Sequence, residues 1–186
     1  GSALDSLDFR LADEVLSLAL DVFYIGLLTS QEDMEVYFPF MFDSGKRWEE
    51  TPTRFSPISI SKQVIITRQP QLVLRTAEEL AQPAPPQTQI GDRRKRAASL
   101  MFAPLLIGEK VIGVITVQSY SLNAYTQDDL DLLIGIANQV AVAIRQHREA
   151  GGRGVAQVMG HDRGAAAVEG KWARHHPAVA DRKQLL

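Results

Sequence analysis

Chemistry in a protein needs nucleophiles, acid–base groups, metal ligands or charges brought to one place, and this 186-residue chain is sparing with most of them. It has no cysteine, which excludes disulfides, iron–sulfur clusters, thiolate nucleophiles and cysteine-linked chromophores. Its four histidines are His147, His161, His175 and His176, all at or beyond the end of the last amphipathic segment. None stands at metal-ligand or nucleophile–base spacing from a partner, so they read as solvent-exposed or linker residues. No Gly-x-x-x-x-Gly-Lys, Gly-x-Gly-x-x-Gly, Gly-x-Ser-x-Gly or His-Glu-x-x-His pattern occurs. The expectation is a chain with no catalytic residues, no metal and no cofactor.

What remains is polarizable and cationic surface suited to binding. Phe38, Phe40, Trp48 and Phe55, with Ser99 and Met101, are candidates to line a pocket, and Arg93 and Arg96 in a basic run supply cations for an anionic ligand. Each has a plainer reading beside that one. Aromatics on a strand face build cores, and a basic run in a proline-rich loop is usually solvated. Tyr120 and Tyr125 flank a turn and read as packing residues with wet hydroxyls.

The elements that would position these residues follow from periodicity. Leu4, Leu7, Leu11, Val15 and Leu18 lie on one side of a helix, and Val22–Leu28 reads as a strand. In 34–42 the period of two puts Met34, Val36, Phe38, Phe40 and Phe42 on one face, with Pro39 pushing that strand toward an edge. Irregular chain through Trp48 and Phe55 precedes a short helix over 59–68, capped by Ser59, and a strand at 71–74. The stretch 82–96, with its three prolines, reads as a long mobile loop.

Two alternating segments, 99–107 and 111–119, are joined by Gly108-Glu109-Lys110 and predict a hairpin, with Gly113 marking a close approach. A helix follows to about Ala150, opened by a capping box of Thr126 and Asp129. At about 36 Å it outruns a small sheet. Its stripe of Leu133, Ala137, Val140 and Ile144, with Leu4, Leu7 and Leu11, suits a homodimer seam.

Size and charge bound the class. With 45% hydrophobic and 23% charged residues the composition is that of a globular domain, and no apolar run reaches the roughly 20 residues of a membrane span. Residues 151–186 carry six Lys/Arg against three Asp/Glu while the whole chain is at −2, so an acidic body bears a short basic tail. That is not the charge distribution of a nucleic-acid binder. Residues 1–3 read as a cloning remnant or extension, 4–150 as one domain, and 151–186 as a linker or tail. A cytoplasmic location is expected.

The run Ser99-Leu-Met-Phe-Ala-Pro-Leu-Leu-Ile-Gly-Glu-Lys-Val-Ile-Gly-Val-Ile-Thr-Val-Gln-Ser, then Tyr125-Thr-Gln-Asp-Asp-Leu-Asp-Leu-Leu and Ala137-Asn-Gln-Val-Ala-Val-Ala-Ile, resembles the C-terminal half of a GAF domain. Asp21-Val-Phe-Tyr-Ile-Gly-Leu-Leu, 34–42, Asp43-Ser-Gly-Lys-Arg-Trp and 64–73 are similar to its N-terminal half, in the style of bacterial sensor kinases. The resemblance implies an α+β fold related to PAS domains. A central antiparallel sheet of five to six strands would carry the terminal helices on one face and loops or short helices on the other. It implies a sensory domain that binds an unidentified small molecule or relays a conformational change to an output domain of the same protein. The alternatives are a ligand-free dimerisation spacer and, with less support, a cyclic-nucleotide-binding domain, whose Asn-Lys and Phe-x-x-x-Asp-Glu signature is mostly missing here. The enzymatic GAF subgroup, the free methionine sulfoxide reductases, works through cysteine thiols that this chain lacks.

Overall fold

Runs of β-branched and aromatic residues, each closed by a turn former, set the strands in the computed structural model, which describes residues 20–85 and 94–150. Strand β1 (Val22–Ser30) turns into β2 (Glu35–Asp43), and Ser44 and Gly45, both at positive φ, reverse the chain into β3 (Lys46–Arg47). A two-residue β4 (Thr53–Arg54) lies in the stretch expected to be irregular. Helix α1 (Ile60–Thr67), β5 (Gln71–Leu74) and the short helix α2 (Ala77–Ala81) follow. The expected hairpin is present as β6 (Ser99–Ile107) and β7 (Lys110–Ser119), with Gly108 at φ 61° in its turn, and leads into α3 (Gln127–Glu149).

All pairings are antiparallel, in the order β3-β2-β1-β7-β6-β5, with β4 on β2. At the centre β1 lies so close to β7 that a Cβ on Gly113 would fall 2.1 Å from the Gly26 carbonyl oxygen, which is the approach expected of that glycine. One face of the sheet packs on α3: Phe23, Ile25, Phe42, Met101, Ala103 and Val117 meet Leu133, Ile136, Val140 and Ile144 in one buried cluster. The opposite face holds a second cluster under α1, built on Val22, Tyr24, Met41, Leu100 and Phe102 with Val64 and Ile65. The expected α+β layering holds. The N-terminal helix through Leu4, Leu7 and Leu11, and the tail 151–186, lie outside the described residues.

Two expectations are overturned here. Leu133, Ala137, Val140 and Ile144 are all at most 2% exposed, because that stripe is the face α3 turns to the sheet rather than a seam toward a second copy. Hydrophobic spacings of three and four cannot distinguish the two uses, and burial of each large side chain there contributes about 1.5–3 kcal/mol. The single face drawn for β2 also fails. Between the pairs Ile25 with Phe40 and Leu27 with Tyr37, β2 spends three residues where β1 spends two. This bulge at Phe38-Pro39 inverts the alternation, so Phe40 and Phe42 face α3 while Val36 and Phe38 face α1.

Candidate functional site

The face away from α3 is paved by two cross-strand rows. Leu100, Gln118, Val22 and Asp43 are successive partners across β6, β7, β1 and β2, and Phe102, Thr116, Tyr24 and Met41 form the next row. Neighbours in such a row project to the same side. The first row, with Phe102 and Tyr24 of the second, is the floor of a cavity of about 180 Å³ that is roofed by Phe55, the start of α1 and the segment Lys95–Ala97, with Arg75 in its wall.

Local sequence explains the roof. Ser59 is extended and its hydroxyl accepts from the Lys62 amide at 3.2 Å, so α1 begins at the cavity and runs away from it. Val64 and Ile65 anchor it to the sheet, and the Ser61 hydroxyl shares a buried 2.8 Å hydrogen bond with the Tyr24 phenol on the floor. Thr76 and Glu79 form a reciprocal capping box that starts α2 directly after Arg75. Arg75 Nη1 donates to the Ala97 carbonyl at 2.7 Å, tying the chain after β5 to the chain before β6. Arg96 Nη1 donates to the Glu79 and Gln82 carbonyls at 2.9 and 3.2 Å, at the C-terminal end of α2.

At the other end of the first row the Asp43 carboxylate, 1% exposed, accepts from the Ser44 hydroxyl at 2.8 Å and from the Tyr120 phenol at 2.7 Å. Lys95 donates to the Ser44 hydroxyl at 3.4 Å and lies 5.1 Å from the centre of the Tyr120 ring. Burial pushes the Tyr24 phenol up to about 12, against the smaller opposing effect of its bond to Ser61. Tyr120 is pushed up by burial and then by its bond to the Asp43 carboxylate. The Arg75 guanidinium is lowered by burial first and by the like charge of Arg96 second, with Glu79 opposing.

Of the expected pocket residues, Phe55 and Arg96 line the cavity. Phe40 and Met101 do not, because their strand phase turns them into the core under α3. Ser99 is buried and serves the turn before α3, donating to the Ser121 carbonyl at 2.8 Å and accepting from the Ala124 amide at 3.0 Å. Phe38 packs edge-on against Tyr24 and Phe55, behind the cavity wall. Trp48 packs on the same cluster and donates its indole N–H to the Asp43 carbonyl at 3.4 Å, outside the lining. Arg93 lies outside the described residues. Tyr120 and Tyr125 are not the wet residues expected, since one is bonded to Asp43 and the other is 3% exposed. His147 also departs from expectation, with its Nε2 buried and unpartnered.

Sequence reasoning missed Tyr24, Ser61, Arg75, Lys95 and the Asp43–Tyr120 pair. The available signal was phase: Tyr24, Thr116 and Gln118 are the polar members of strands whose alternate residues, Phe23, Ile115 and Val117, are wholly apolar. Among the described residues no cluster of acidic groups and histidine is suited to a metal. At the cavity the Tyr24 phenol is paired with the Ser61 hydroxyl and the Tyr120 phenol donates to the Asp43 carboxylate.

Solved structures share this architecture. The GAF-B domain of DevS from Mycobacterium smegmatis matches with a TM-score of 0.56 at 17% identity, covering 79% of this chain and 96% of that one. The GAF domain of a two-component sensor histidine kinase from Bacillus halodurans matches with 0.58 at 17%, covering 81% and 99%. The free methionine-R-sulfoxide reductase from Neisseria meningitidis, solved with its substrate, matches with 0.53 at 16%, covering 79% and 89%. At these identities the likeness is one of fold. Comparison with curated proteins returns no match. The family model described as the GAF domain matches residues 4–145, which span the sheet, the cavity and nearly all of α3, and so the chain belongs to the GAF domain family of regulatory and sensory domains found in histidine kinases and other signalling proteins.

Proposed function

We propose that this protein is a non-catalytic sensory domain of a signalling protein, that it binds a small molecule in the cavity between sheet and α1, and that it passes the bound state through α3 to an output domain. The observation that carries this reading is the cavity itself, about 180 Å³ with polar groups converging on it in an otherwise packed layer. That volume is below the 300–1,000 Å³ usual for drug-sized ligands, which argues against a cyclic nucleotide. Mechanistically no bond is made or broken. A ligand that fits one arrangement of α1 and the Lys95–Ala97 segment better than another shifts the population toward it.

A homodimer through the terminal helices belongs to the same proposal. On α3 its apolar contacts would be Leu132 and Val142, 37% and 44% exposed, since the stripe first expected there is consumed by the core. A cytoplasmic setting is also part of it; among the described residues no helix is long and apolar enough to cross a membrane.

Native mass spectrometry of the freshly purified chain, beside an Ala97→Leu variant that fills the cavity, tests the reading. The expected result is a reproducible small-molecule increment on the 20.6 kDa chain that the variant lacks. A bare protein that also fails to take up small molecules in solution leaves the ligand-free spacer as the correct description.

A further inference from the structure

Among the described residues the charges that line the cavity do not balance: Arg75, Lys95 and Arg96 stand against the single carboxylate of Asp43. Asp43 stands on β2, three strand spacings from β6 along its row, or roughly 14 Å at about 4.8 Å each. There it is held by the Ser44 and Tyr120 hydroxyls, beside the ammonium group of Lys95. Arg75 and Arg96 belong to the opposite, β5–β6 end, since one follows β5 and the other precedes β6. The partners of their guanidinium groups are carbonyls: Ala97 for Arg75, and Glu79 and Gln82 for Arg96. A carbonyl orients a guanidinium without cancelling its charge. Among the described residues no carboxylate lies within ion-pair distance of either.

Two part-buried cations that repel one another are costly to hold together unless something neutralises them. The downward push of Arg96 on Arg75 registers that repulsion, and Glu79 offsets only part of it. Between this cationic end and Asp43 the lining presents Leu100, Phe102, Val22 and Phe55 as apolar surface, beside Gln118 and the Tyr24–Ser61 pair, whose hydroxyls bond each other. The cavity holds about six waters' share of liquid, at about 30 Å³ each, so the occupant is compact.

Taking the cavity as a ligand site, we infer that its ligand is a small organic anion, with a carboxylate or phosphomonoester head on Arg75 and Arg96 and a flat apolar body against Phe55, Leu100 and Phe102. Arginine forks are suited to planar two-oxygen acceptors, and their carbonyl tethers set them in place before the ligand arrives.

Amide chemical-shift titration of the whole chain with benzoate, phenyl phosphate and the neutral isostere benzamide tests this, with Arg75→Gln, Arg75→Lys and Arg96→Gln as variants whose own spectra report folding. The expected result is that at least one anion perturbs the amides of 58–61 and 95–97 and binds about tenfold or more tightly than benzamide. Arg75→Gln or Arg96→Gln should abolish that preference, and Arg75→Lys should keep part of it. The tighter of the two anions identifies the head group. Equal binding of benzamide and benzoate overturns the anion assignment while leaving the cavity as a ligand site. Absence of any perturbation by all three compounds overturns both.

Discussion

Tyr24 and Ser61 hold the roof of the cavity to its floor through one buried hydrogen bond, and each residue is only 3% exposed. Tyr24→Phe therefore strands the Ser61 hydroxyl and should cost about 1–3 kcal/mol in urea unfolding. Adding Ser61→Ala should recover part of that loss, and a double-mutant cycle measures the coupling. The buried tyrosines also set the alkaline limit of the fold. Tyr24 is raised from its ordinary 10.0 to about 12, and Tyr120 and Tyr125 are raised further. Below pH 10 all three are protonated whether folded or not, so their contribution to stability is fully present. Above it the unfolded chain gives up phenol protons that the folded chain keeps. Stability should then fall by about 1.4 kcal/mol per pH unit for each such tyrosine. Phenolate absorbance followed together with circular dichroism should show these tyrosines ionising with unfolding rather than before it.

Among the elements, α3 gives the sharpest contrast. Val140 and Val142 are two residues apart, yet one is 2% and the other 44% exposed. Val140→Glu puts an unpaired carboxylate against the sheet and should cost about 3–5 kcal/mol or unfold the domain. Val142→Glu should leave the thermal melt nearly unchanged, within about 0.5 kcal/mol. If the protein is a dimer through α3, Val142→Glu is the variant that separates it without unfolding it, and size-exclusion chromatography alongside the melts distinguishes these outcomes. What was legible in the sequence was local. The Ser59 cap, the Thr126–Asp129 box, the Gly108 turn and the tight approach at Gly113 depend on a few neighbouring residues and are where they were expected. What depended on a phase count was lost at the first irregularity, since the extra residue at Phe38-Pro39 changed which aromatics face α3. The Thr76–Glu79 box was equally local and went unread, so α2 was given no assignment between the strand at 71–74 and the loop at 82–96.

For the molecule as a whole, the cavity could not be read along the chain, because Tyr24, Asp43, Ser61, Arg75 and Arg96 come from separate elements and meet only once β1, β7 and β6 have paired. The sheet is also a partition one residue thick. On β6, Leu100 and Phe102 face the cavity while Met101 and Ala103 face α3, and on β1 Val22 and Tyr24 alternate in the same way with Phe23 and Ile25. A strand that tilts to accept a ligand on one side must repack against the helix on the other. The thermodynamic coupling this creates is reciprocal. Under the proposed function, whatever clamps α3, whether a neighbouring domain, a second copy or an engineered crosslink, changes the affinity of the cavity by the same factor by which the ligand biases the helix. Ligand affinity measured with and without such a clamp thus becomes a gauge of signal strength that requires no knowledge of what α3 drives.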